Sequence, residues 1–153
     1  MCKENEKETV VEINEAIIAG KRALSALKEA RQSLKCASDW GIADLVGGGF
    51  FINMIKHSKL EDASQKLESA KQHIQVFQQE LSDVVLPYEI HIRVDGFLTF
   101  ADFFFDGLIA DWLLQSRLKK AREEIENAIY YVSTTITDLQ NYEKQYMLEK
   151  GAY

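Results

Sequence analysis

The chain has 153 residues, of which 46% are hydrophobic, 27% are charged and one is a proline. That length suits one domain able to bury about 68 to 70% of its unfolded surface, and the composition excludes collagen-like, proline-rich and disordered classes. With 18 basic against 24 acidic residues the net charge is −6, so no overall basic field exists for a phosphate backbone and no nucleic acid is expected as a partner.

The first nine residues, Met1 to Thr9, are almost wholly polar and lack the apolar core of a secretory signal, which makes a cytoplasmic location the expectation. Cys2 and Cys36 have no spacing that suggests a pair and are expected to stay reduced. Val10, Ile13, Ile17, Leu24, Leu27 and Leu34 then follow a 3,4 spacing. This pattern predicts an amphipathic leading helix over residues 8–38, closed near Asp39-Trp40-Gly41, where glycine can take a left-handed cap.

A first unit is expected over residues 42–84. It opens with the short apolar run Ile42 to Val46, and the three consecutive glycines Gly47, Gly48 and Gly49 predict a break. The series Leu60, Ala63, Leu67, Ala70, Ile74, Phe77 and Leu81 then fills every a and d position of three heptads with apolar residues. A second helix is therefore expected from about Phe50 to Val84.

Pro87 follows, and from Tyr88 to Asp95 apolar Ile90, Ile92 and Val94 alternate with polar neighbours. Period two is the pattern of a half-buried strand, but no second strand candidate exists to pair with it. Residues 85–96 are accordingly expected to form an extended linker on the bundle, with pairing to another copy as the alternative. The second unit, residues 97–148, holds five of the eight phenylalanines in Phe97 to Leu114, together with Asp102, Asp106 and Asp111. Each central aspartate costs about 2.5 to 3.5 kcal/mol in a bilayer, against about 0.3 to 0.6 returned by each Phe, Leu or Ile, so this segment is not expected to span a membrane. A last 3,4 series from Leu118 to Tyr146 predicts a third long helix over about 108–148.

Shifting the sequence by 58 residues aligns the two units without a gap. Ala43, Asp44, Gly49, Ser58, Leu60 and Ala63 fall on the identical Ala101, Asp102, Gly107, Ser116, Leu118 and Ala121. Heptads match each other at some shift in any case, so the weight rests on the Ala-Asp pair, the glycine five residues later and the serine nine after that. The fold class expected is all-α: an antiparallel bundle of three long helices with two short helices at the joints, coiled-coil-like packing and internal duplication.

Candidate chemistry gathers at the joints. Asp44 and Asp102 occupy equivalent places in the two units, with Asp106 and His57 near them in sequence, and paired carboxylates with a histidine can hold a divalent metal or share a proton. The same residues also suit helix capping and solvated faces, and the Glu-x-x-His pair of di-iron bundles is absent. The glycines lack the Lys-Ser or Lys-Thr of a phosphate loop, and no nucleophile elbow or zinc-protease motif is present. No catalytic residue, metal or cofactor is therefore assigned. Phe97, Phe100, Phe103 and Phe104 are too many for one side of a short helix and are the interface candidates. The expectation is a non-enzymatic interaction or scaffold protein that self-associates as a homodimer or binds a helical protein. The alternatives are a small-ligand or metal-binding bundle using the joint aspartates, and a peripheral membrane protein docking through the aromatic segment.

Overall fold

A computed structural model describes residues 2–47, 50–105 and 118–151, with side chains described for 4–36, 61–102 and 121–151. Four helices make up the described residues: α1 (Cys2–Gly47), α2 (Phe50–Asp83), α3 (Tyr88–Phe105) and α4 (Leu118–Glu149). No strand occurs among them.

The heptad stripes form the core as their spacing predicts. Ala63, Leu67, Ala70, Ile74, Phe77 and Leu81 of α2 are all buried, and so are Ala121, Ile125, Ala128, Val132, Thr135 and Leu139 of α4. Thr135, the polar exception in its series, donates its hydroxyl hydrogen to the Tyr131 carbonyl at 2.8 Å, which satisfies the group inside the core. In α1 the buried stripe includes Ile13, Ile17, Leu27 and Leu34 but is rich in alanine, with Ala16, Ala19, Ala23, Ala26 and Ala30 buried as well. Small residues let neighbouring helix axes approach closely, and α1 packs along both α2 and α4.

The closest approach is at Gly20. A Cβ there would lie 2.8 Å from Cγ1 of Ile136 and 3.0 Å from Cζ of Phe77. Pairings on either side of this point run in opposite order along α1 and its neighbours. Ser33 donates to Asp62 at 2.8 Å and Lys66 lies 3.4 Å from Glu29, whereas Gly20 meets Phe77 further along α2. On α4, Arg31 pairs with Glu126 at 3.5 Å, Gly20 meets Ile136, and Glu6 pairs with Lys150 at 3.6 Å.

Three expectations are corrected. The helix expected over 8–38 continues through Trp40 and Gly41 to Gly47, because one glycine costs only about 1 kcal/mol inside a long helix. Ile42 to Val46 is thus part of α1 and not a separate short helix, and Gly48 and Gly49, within the run that predicts a break, lie outside the described residues.

The extended linker expected over 85–96 is the second correction: from Tyr88 onward it is the first half of α3. Its alternation is coincidental, since Ile92 is exposed while Val94, Phe97 and Ala101 are buried at the 3,4 spacing of a helix, with Ile90 half-buried one turn earlier. Pro87 separates α2 from α3, and its carbonyl accepts the first bond of α3 from the His91 N–H at 2.9 Å. Third, Phe97 to Phe105 belongs to this same helix and is not a short one of its own. Phe97 packs on Phe77 with ring centroids 5.4 Å apart, which seats α3 over the core.

Replacing Gly20 by alanine should lower stability by about 1 kcal/mol, because overpacking costs about 1 to 3 kcal/mol and the gain in helix propensity offsets only about 1 of it. Adding Ile136→Val should recover part of the loss in a denaturant midpoint. Equal or greater stability of Gly20→Ala alone contradicts the close crossing.

Candidate interaction surfaces

The expected site residues are not assembled into one site by the described residues. Asp102 is exposed on α3, and Asp44 and His57 lie on α1 and α2 with side chains outside the described set. Asp106 lies outside the described residues altogether, as do the side chains of Phe103 and Phe104. Among the described residues no three His, Cys, Asp or Glu side chains come together as a metal cluster would require, and no helix is long and apolar enough to cross a membrane. Phe97 is only 1% exposed and so belongs to the core, not to a surface a partner can reach. Phe100 is half-buried and stacks on Tyr131 at 4.7 Å and 25°.

That stack opens onto a cleft of about 240 Å³ between α3 and α4, lined by Arg93, Gly96, Tyr130, Tyr131, Thr135 and Asp138. Helical spacing places Tyr88, Ile92 and Gly96 on one face of α3, and a Cβ added at Gly96 would meet nothing within 4 Å. The backbone is therefore open to solvent here. Tyr130 in the cleft is 67% exposed, and Tyr88 and Ile92 of α3 are exposed large side chains as well. At the edge of the cleft, Nε of Arg93 lies 2.9 Å from Oδ2 of Asp138. The oxygen is buried and makes no aligned hydrogen bond, so charge proximity rather than bond geometry holds the pair.

A second feature lies between α1 and α4. Tyr142 of α4 donates its hydroxyl hydrogen to the Val85 carbonyl in the α2–α3 turn at 3.4 Å, and α4 then runs on for about two more turns. Burial first, then the neighbouring Tyr146 and Glu149, push the Tyr142 hydroxyl above its ordinary pKa. Along this stretch the helices leave two adjoining hollows, of about 430 and 460 Å³, which share Met147 and form one groove. Its apolar lining includes Val10, Val11, Ile17, Tyr146 and Leu148.

Sequence reasoning missed Ile92, Arg93, Asp138 and the groove. Arg93 and Asp138 are 45 positions apart, and nothing local announces that they meet. The groove had a legible signal: Lys7, Val11, Asn14, Ile18 and Lys21 repeat at 4,3,4,3 beside the core stripe of α1.

Two measurements follow from these geometries. Asp138 is 15% exposed and Arg93 55%, so Arg93→Ala strands a mostly buried carboxylate and should cost about 1 to 2 kcal/mol, against less than about 1 for Arg31→Ala at the exposed Glu126 pair. Equal losses in denaturant melts would argue against that difference. For Tyr142, a raised folded-state pKa means the unfolded chain releases its proton first, so this contribution is complete below about pH 10 and declines as pH rises through the folded value. Tyr142→Phe should flatten the alkaline fall in melting temperature; an unchanged slope contradicts the burial.

No known protein family, curated protein or solved structure matches this chain.

Proposed function

We propose that this chain is a non-enzymatic helical interaction protein that self-associates through the face shared by α3 and α4. The observation that carries the reading is the exposure of Tyr130 in the cleft beside the open backbone of Gly96, with Tyr88 and Ile92 also exposed on α3. Exposed large apolar side chains support a contact site, and aromatic residues dominate the centres of such contacts. The contact proposed is the isologous interface of a homodimer, in which the same face of both copies meets.

The architecture proposed for this role is an antiparallel bundle built from a helical unit written twice. Its support is the opposite order of pairings along α1 and its two partners, and the matched burial of Ala63 with Ala121, Ala70 with Ala128 and Leu81 with Leu139 across the offset of 58.

Light scattering on a size-exclusion column should give twice the chain mass at micromolar concentration. Ile92→Glu and Tyr130→Glu, both at exposed positions, should give a folded monomer with an unchanged helical circular dichroism spectrum. A wild-type monomer, or dimers that persist in both variants, would sink the proposal.

A further inference from the structure

The α1–α4 groove differs in charge from the face just described. It is lined by four lysines, Lys7, Lys21, Lys144 and Lys150, against two glutamates, Glu6 and Glu143, in a chain whose net charge is −6. Lys150 is held by Glu6 at 3.6 Å, while no ion pair among the described residues engages Lys7, Lys21 or Lys144. The apolar floor between them is accessible: Val11 is 53% exposed and Leu148 54%. Within this lining Oε2 of Glu143 is buried and has no hydrogen-bond partner. An unmet buried acceptor is unfavourable, and an incoming donor relieves it.

Shape and charge together narrow the occupant. From Lys7 to Lys21 the groove extends about 21 Å along α1, the length of about 14 helical residues. A concave channel between two helices receives a third helix as a knob-into-hole seam, whereas a membrane surface favours a protruding apolar face. A second copy of the groove would bring lysine against lysine, which opposes self-pairing at this place. We propose that the α1–α4 groove is a docking site for an acidic amphipathic helix of a partner protein, with apolar residues over Val11, Met147 and Leu148, carboxylates beside Lys7, Lys21 and Lys144, and a hydrogen-bond donor opposite Glu143. This surface is separate from the α3–α4 face, so its test stands whether or not the chain self-associates.

The probe is a fluorescently labelled helical peptide with leucine at its a and d positions, one central serine, and glutamate at the flanking positions. It is titrated by fluorescence anisotropy against the full chain, beside a counterpart carrying lysine for glutamate. The acidic peptide should bind about tenfold tighter than the basic one, a difference of ~1.4 kcal/mol, and the preference should shrink in high salt. Lys21→Glu with Lys144→Glu, both at exposed positions, should abolish or invert it, while Val11→Asp should weaken both peptides with the helical spectrum intact. Absence of binding, equal binding of the two peptides, or a preference that survives the lysine reversal overturns the proposal. A Val11→Asp variant that dissociates a wild-type dimer without changing peptide binding overturns it too, by giving the groove to a second copy.

Discussion

The missing side chain of Gly20 is the constraint on which the rest of the packing depends. At that position α1 presents bare backbone, and the Phe77 ring from α2 and the Ile136 side chain from α4 close over it together. Phe77 is fully buried there and in turn supports Phe97, so the contact made on α1 also sets the seat of α3. A larger residue at this one place would move two neighbours and, through Phe77, α3. The alanines that flank Gly20 extend the same close approach along α1, and they leave little volume for the core to lose to rearrangement.

Both candidate surfaces are faces that the described helices leave open on this frame. Where α3 does lie, its outward face keeps Tyr88, Ile92 and the open Gly96, because the inward positions are already taken by Val94, Phe97 and Ala101. Past the α2–α3 turn, α1 and α4 continue as a pair, with Glu6 against Lys150. The groove lies between these two helices, and its lysines distinguish it from the α3 face.

Much of the fold was legible because the heptad spacing of α2 and α4 records burial directly: every described residue that the a/d series named in α2 lies in the core. The Tyr88 to Asp95 segment was misread because three β-branched residues at alternate positions satisfy a strand pattern over eight residues, while the helical stripe through Val94, Phe97 and Ala101 becomes visible only when the window extends past Gly96. The end of α1 was placed too early because glycine was weighed as a stop signal, although its intrinsic cost is small beside the hydrogen bonding of a helix of 46 residues. Functional surfaces were less legible than the core. Periodicity reports which residues leave water and not which exposed ones meet, and Arg93 with Asp138, or Lys21 with Lys144, are joined only by the folded arrangement.

Native-state hydrogen exchange tests the central role of α1 most directly. If α1 is the element that α2, α3 and α4 depend on, its amides from Ile13 to Leu34 should exchange only through global unfolding, with opening free energies equal to the stability of the whole chain, and α3 should open at a lower free energy. Exchange of this stretch of α1 by local opening, at a free energy below that of α2 and α4, would contradict the account.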